Sequence, residues 1–527
     1  MQRAGHTIAS LLQSLSICQR VKFVIPGQQH PILADIQRRG LPRRAFLRNL
    51  LFAAGSVPVA SWLTACGGSS PGVGGAARDP AFRSAFETMG PLQAPDGNGV
   101  ELPEGFSSRV VAVFNEPPVP DQPDFVWHSD PDGGGVFRTE DGGWIYVSNS
   151  EARDATTLGA ATPDAPLLSE LLSRDTLEAV DSGLGAITGL LPDSTPLVLP
   201  FSGGVSALRF DAEGNLVDAY PIQRNTTTNC SGGATPWGTW INGEEILDGF
   251  MFEASPLRDG GTPRRLDRFG RKAHEQVAVD APARIIYHTE DITGSDRVYR
   301  TVFPADAWPE GGAPDFERGK LQVLAVDDGI EAARSGPVPI RWVDAIDDGT
   351  PQPEVYQEET TVFAGNEGMW FLKGFVFFST KSDDNVWAID TIGGTIESIY
   401  DPADGPVGSP VDEEEPRLTG VDNLAMTLDG EMIVVEDGGD LRAMVLLPDG
   451  RTIPLLRLPG PADAPQPSEV TGPAFSPDGR RIYVASQRAT RDGTPTPFGL
   501  GGVVYEITMP FAVRVNPPLA QPLAQQR

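Results

Sequence analysis

Beyond residue 140 the chain reads as short apolar runs separated by Asp-Gly and Glu-Gly turns, with few long helical periodicities. The turn signals are Glu140-Asp141-Gly142, Ala212-Glu213-Gly214, Asp429-Gly430, Pro448-Asp449-Gly450 and Pro477-Asp478-Gly479. Such dipeptides close tight connections between antiparallel strands. Around them the runs come in pairs: Phe375-Val376-Phe377-Phe378 with Val386-Trp387-Ala388-Ile389, Met432-Ile433-Val434-Val435 with Arg442-Ala443-Met444-Val445, and Arg481-Ile482-Tyr483-Val484 with Val503-Val504-Tyr505-Glu506. Equivalent points recur every ~50–60 residues, a propeller-blade period rather than a sandwich spacing. Strand-like stretches at 144–147, 239–252 and 285–302 raise the number of candidate blades to six. The pattern predicts an all-β fold: a six-bladed β-propeller forming one domain over 95–515, with a tail over 516–527. One stretch departs from it. Residues 152–202 place Leu167, Leu168, Leu171, Leu172, Leu177 and Val180 near helical spacing, which predicts an inserted helical or loop excursion, either a lid or a loop packed on the blades.

The N-terminal part follows a different logic. Arg43-Arg44-Ala45-Phe46-Leu47-Arg48 reads as a twin-arginine export signal, and the apolar stretch after it is interrupted by Gly55 and Pro58. That stretch is too short and broken to span a membrane. It ends in Leu63-Thr64-Ala65-Cys66-Gly67, which looks like a lipobox with Cys66 as the lipidated residue. The expectation is a signal over 1–66, a flexible tether over 67–94, passage through the twin-arginine machinery, and a periplasmic or cell-envelope location with a lipid anchor as the sole membrane attachment.

Charge narrows the partners. The first 65 residues hold eight Lys/Arg and one acid, leaving 33 basic against 70 acidic residues in the remainder. An exterior this anionic repels polyanions and argues against nucleic-acid binding. Most of these acids read as a solvated surface, but some recur at strand ends. Asn149-Ser150-Glu151, Gly243-Glu244-Glu245, Thr289-Glu290-Asp291 and Val435-Glu436-Asp437 close strands, while His274-Glu275, Asn366-Glu367 and Asp422-Asn423 open them. Equivalent positions of successive blades converge on the central channel, where that many carboxylates repel one another unless cations intervene.

Beyond Cys66 the chain has one cysteine, Cys230, in Asn229-Cys230-Ser231-Gly232-Gly233. A lone cysteine in an exported protein cannot form an intramolecular disulfide. Free cysteines are commonly buried as small apolar residues; the close glycines and Glu244-Glu245 point instead to a metal ligand. Carboxylates suit calcium, and carboxylates with a thiolate suit iron. With His128, His274 and His288 as the histidines beyond the signal, zinc is disfavoured. Beyond the tether no Gly-x-Ser-x-Gly occurs, and the chain has no Cys-x-x-Cys or haem-attachment motif.

The stretch 229–240 with Glu244-Glu245 resembles the PhoX-type alkaline phosphatases. So do Arg271-Lys272-Ala273-His274-Glu275, 287–291, Asp422-Asn423 through Glu436-Asp437-Gly438, and 472–479. The similarity runs over roughly 95–510, and the cysteine motif is its most specific part. It implies a six-bladed propeller with an iron–calcium cluster at its mouth that hydrolyses small phosphomonoesters without a side-chain nucleophile. It further implies that Cys230, Glu244, Glu275 and Glu367 ligate iron. Glu151, Glu245, Glu290, Asp291, Asp422 and Glu436 become candidates for calcium or supporting roles. Lys381, at the strand end of a blade lacking an acid there, is a candidate phosphate ligand, although most such lysines are simply solvated. Two departures stand out: Asn149-Ser150-Glu151 where the family often has Asn-His-Glu, and Asn242-Gly243-Glu244-Glu245 where it often has Thr-Cys-Glu-Glu. Neither removes a carboxylate. Two other readings stay open, a gluconolactonase-like calcium propeller that hydrolyses lactones and a lipid-anchored propeller that binds partners without catalysis.

Overall fold

A computed structural model describes residues 84–152, 203–402, 417–448, 450–460, 468–491, 493 and 501–523. The expected signal, Cys66 and residues 153–202 of the insertion lie outside them. The described chain is almost entirely β, arranged as a propeller.

Strand β1 (Ser107–Val113) stands apart from its neighbours in sequence. Blade one is β2 (Pro131–Arg138), β3 (Trp144–Ser150), β4 (Gly203–Phe210) and β5 (Leu216–Thr226). Blade two is β6 (Asn229–Ala234), β7 (Trp240–Glu244), β8 (Met251–Ala254) and β9 (Arg264–Arg265). Blade three is β10 (His274–Asp280), β11 (Ile285–Glu290), β12 (Val298–Val302) and β13 (Lys320–Val326). Blade four is β15 (Asn366–Leu372), β16 (Phe375–Thr380), β17 (Asn385–Asp390) and β18 (Thr395–Tyr400). Between them a short helix, α1 (Ile330–Ser335), leads into β14 (Val338–Asp344), which pairs with both β13 and β18 and joins the two blades edge to edge. Blade five is β19 (Val421–Met426), β20 (Met432–Glu436), β21 (Arg442–Leu446) and β22 (Thr452–Arg457). The last blade runs β23 (Val470–Phe475), β24 (Arg481–Ser486), β25 (Val503–Thr508), and takes β1 from the other end of the chain as its outer strand. That exchange closes the ring and removes two free sheet edges.

The innermost strands β2, β6, β10, β15, β19 and β23 contact one another in that cyclic order, and β23 returns to β2. They surround the channel. Their close approach requires small residues: at Gly233 a Cβ would sit 2.2 Å from the Val277 carbonyl oxygen of the next blade. Apolar clusters fill the wedges between blades. Ile433, Val435, Val445, Val484 and Tyr505 pack in one wedge, and Tyr287, Val376, Phe378 and Trp387 in another.

The packed domain extends past both ends of 95–515. The segment expected to be flexible tether folds from Ser84 onward: Phe86 is fully buried, edge-on to Phe511 at 5.3 Å. The tail also lies on the propeller. Arg138 N donates to Pro518 O and Arg138 O accepts from Ala520 N, while Gln521 N donates to Gly238 O and Leu523 N to Gly260 O. It thus reaches two blades and lines one side of a channel cavity of about 750 Å³ with Pro517, Pro518 and Leu519.

Candidate metal centre

Each innermost strand loses register with its neighbour near its first residues. The slip lies between Pro131 and Gly134, Asn229 and Gly232, His274 and Val277, Asn366 and Met369, Val421 and Leu424, and, one residue later, Thr471 and Ala474. A bulge at this point re-aims side chains. The residue after each first paired position is Asp132, Cys230, Glu275, Glu367, Asp422 or Thr471. These form an inner ring, one member per blade.

A second ring comes from the neighbouring strand. The strand-opening residues pair with Ser150, Glu244, Glu290, Thr380, Glu436 and Ser486. The residues that follow these are Glu151, Glu245, Asp291, Lys381, Asp437 and Gln487. Side chains alternate between faces along a strand, so the ring member and the residue before it face opposite ways.

The two rings meet. Ligand atoms of Asp132, Glu151 and Cys230 lie within 4.8 Å of one another, as do those of Cys230, Glu245 and Glu275. Cys230, buried and unpaired, belongs to both groups. Burial, then the charges of Asp132, Glu275, Glu245 and Glu151, push its thiol well above the usual range. Burial and neighbouring acids do the same to the carboxyls of Asp132 and Glu275. Asp422 is pushed up to about 7 by burial, partly opposed by Lys381. Both carboxylate oxygens of Glu275 and Oδ1 of Asp132 are buried with no hydrogen-bond partner, in contrast to the usual pairing of buried polar atoms.

The protein also supplies cations of its own. Lys381 is in contact with Glu367, with Asp437 at 3.3 Å and Asp291 at 3.8 Å. Burial works against this ammonium, but the acids hold it charged and its pKa rises. Against the same pull of burial, Lys381 holds Asp437 well below the usual range. Arg488 bonds Glu469 at 2.8 Å and lies 3.9 Å from Glu151. Gln487 Nε2 donates to Asp132 Oδ2 and Glu151 Oε2, both at 2.6 Å.

Three expected ligands stand outside the rings, for one reason. Glu244, Glu290 and Glu436 occupy the register-paired position whose side chain faces away. Glu244 accepts from the backbone amides of Thr227 and Phe250 at 3.3 and 3.1 Å. Glu290 accepts from the Tyr299 hydroxyl at 2.9 Å and lies in the field of buried Lys272. Glu436 is bound by the Arg442 guanidinium, the Arg442 amide and the Thr419 hydroxyl. Cys230, Glu151, Glu245, Glu275, Glu367, Asp291, Asp422 and Lys381 are brought together. The sequence reading missed Asp132, Gln487, Glu469 and Arg488. For Asp132 the missed signal is its place in Asp132-Gly133-Gly134, matching Cys230-Ser231-Gly232 at the same bulge.

The donor set fits cations. A buried thiol shared by two trios, with partnerless carboxylate oxygens around it, is a costly arrangement unless positive charge lies among them.

A sequence model of the family described as alkaline phosphatase PhoX matches residues 219–368, the stretch that carries Cys230, Glu245, Glu275, Asp291 and Glu367. The stretch 219–368 is thus similar in sequence to the PhoX family. Among solved structures it is similar to Pseudomonas fluorescens PhoX in complex with vanadate, a transition state analogue. The identity is 14%, over 80% of this chain and 97% of that one, with a TM-score of 0.56. This supports the propeller fold. A gluconolactonase from Xanthomonas campestris aligns at 10% identity over 80% of this chain and 98% of its own, with a TM-score of 0.37. No curated protein matches in sequence.

Proposed function

We propose that this protein is a PhoX-type phosphatase that hydrolyses small phosphomonoesters at the channel mouth, with iron and calcium held by the two rings. The observation that carries the reading is the membership of Cys230 in two ligand groups, one with Asp132 and Glu151 and the other with Glu245 and Glu275. A soft thiolate among carboxylates matches iron, and the all-oxygen positions around Glu367, Asp291 and Asp422 match calcium. Bound there, the cations supply Lewis-acid stabilisation for the charge on a transferring phosphoryl group.

The chain's own residues complete the site. Lys381, whose side chain is 32% exposed, and Arg488 place fixed positive charge beside the acids. A phosphate dianion entering this mouth meets ammonium and guanidinium N–H groups, and Arg488 has further donors beyond its bond to Glu469. Gln487 ties Asp132 to Glu151 and keeps two acids of one ligand group in fixed relation. Neither ring contributes a serine or a histidine, and the Ser148 hydroxyl that lies 3.4 Å from His128 Nε2 belongs to neither ring. A thiol at the centre of the acids has no use in a lactonase or in a purely structural calcium site.

Outside the described residues, we place the protein in the cell envelope, exported by the twin-arginine route and lipidated at Cys66. The mass of the mature N-terminus tests this: an unmodified Cys66 refutes the anchor.

The functional test is hydrolysis of a generic aryl phosphate at alkaline pH by natively exported protein, before and after treatment with a calcium chelator. Activity should fall with calcium loss, and Cys230→Ser should lose iron and activity together while its β-sheet circular dichroism stays intact. Full activity in Cys230→Ser overturns the reading.

A further inference from the structure

The bulges that present the inner ring leave backbone carbonyls outside the sheet ladder, where they need other donors. Four of these carbonyls are met by three side chains from the preceding blade. Asn149 Nδ2 donates to Cys230 O at 3.1 Å and Ser231 O at 3.0 Å. Thr289 Oγ1 donates to Glu367 O at 2.7 Å, and Ser379 Oγ to Asp422 O at 2.7 Å. All three side chains are buried.

They also occupy one structural place. Each lies on the second strand of its blade, one residue before the register-paired position and two before the ring members Glu151, Asp291 and Lys381. Residues two apart on a strand share a face. So one face of the strand both contributes a ring side chain and grips the backbone of the next blade's ring residue. The orientation of the Asn149 amide is itself fixed, because Trp240 Nε1 donates to its Oδ1 at 2.9 Å. Thr289 and Ser379 also lie 3.3 and 3.5 Å from carbonyls of their own blades, Gln276 O and Gly368 O. A hydroxyl has one proton to donate, and the shorter contact is the one to the neighbour.

The places without a donor are informative too. In blade two the position is Gly243, where a Cβ would come within 2.2 Å of His274 Cβ, so no side chain fits. Blades five and six have Val435 and Ala485; there Thr471 Oγ1, from the inner ring itself, donates to Pro131 O at 2.6 Å.

We infer that Asn149, Thr289 and Ser379 are positioning residues that set the separation between ring members of adjacent blades. Asn149 ties Glu151 to Cys230, Thr289 ties Asp291 to Glu367, and Ser379 ties Lys381 to Asp422. The inference rests on the reading of the rings as a metal centre. Coordination tolerates errors of only about 0.2 Å, and contacts that orient ligands are typically worth about 10- to 100-fold in metal affinity.

The test uses natively exported holoprotein, titrated with a calcium chelator and then an iron chelator, with retained metal measured by elemental analysis. Thr289→Val and Ser379→Ala should release metal at chelator concentrations about 10- to 100-fold lower than wild type, and Thr289→Ser should restore the wild-type midpoint. Ser398→Ala serves as the comparison. It removes a buried hydroxyl bonded to the Asn385 side chain at 2.7 Å, away from the rings, and should lower Tm without moving either midpoint. Wild-type midpoints in both Thr289→Val and Ser379→Ala overturn the inference, as does an equal shift in Ser398→Ala. Should the wild-type protein carry no metal at all, the metal-centre reading itself falls, a distinct result.

Discussion

Glu244 and Glu245 are neighbours in sequence with opposite environments, which makes them a sharp test of the ring geometry. Glu245 shares a ligand group with Cys230 and Glu275, while both Glu244 oxygens accept backbone amides. Glu245→Gln should therefore lower metal content and activity with little effect on thermal stability of the fold. Glu244→Gln turns a donor toward a backbone N–H and should cost about 1–3 kcal/mol of stability while the protein retains its metal. Chelator titration and thermal melts on the two variants check this, and identical behaviour in both would contradict the geometry. The sequence reading could pick out Glu244-Glu245 as a unit but could not divide it. Which carboxylate faces the channel depends on strand register, and a one-residue slip reverses every side chain. Cys230 could be singled out from sequence because a lone thiol among acids is unusual whatever its register. Asp132 was invisible for the opposite reason: one acid in a Gly-rich run is common, and its meaning comes from Gln487, Glu151 and Cys230, which the fold brings to it.

Elements repeat the same contrast between local and distant information. The strand pairs flanking Asp-Gly turns are read directly, because hairpins are encoded by adjacent residues. The bulges at the head of each innermost strand are not, since they arise only when five other blades crowd the channel. Nor does local pattern reveal the two ends of the domain. Phe86 lies in a short stretch without strand alternation, and its burial depends on Phe511 and the apolar cluster of the last blades. The tail lacks alternation and is rich in proline, yet it holds on through backbone bonds from Arg138, Gly238 and Gly260. Truncation after Asn516 removes these bonds together with the Ser255 Oγ donation to Gln521 O at 2.6 Å. It should cost about 1–3 kcal/mol, a few net hydrogen bonds, and leave metal content unchanged. Calorimetry with elemental analysis decides it. A truncated protein as stable as the full chain would show that the tail is only laid on the surface.

At the scale of the molecule, ring closure and metal binding belong to one design. A propeller brings residues from Asp132 to Gln487 to one mouth, so each blade can add a side chain to a shared site without any long loop. The protein divides that mouth into two parts. Around Cys230 two ligand groups gather a thiol with the carboxylates of Asp132, Glu151, Glu245 and Glu275, whereas Glu367 and Asp437 lean on Lys381 with no thiol beside them. The division predicts where the soft metal sits. The most direct measurement is anomalous diffraction at the iron edge on crystals of natively exported protein. The account predicts iron bound to the Cys230 sulfur, with Glu275 and either Glu245 or Asp132 completing its protein ligands, and no ion on Glu244, Glu290 or Glu436. Metal-replete crystals with no anomalous density beside Cys230, or with the iron on any of those three glutamates, would contradict it.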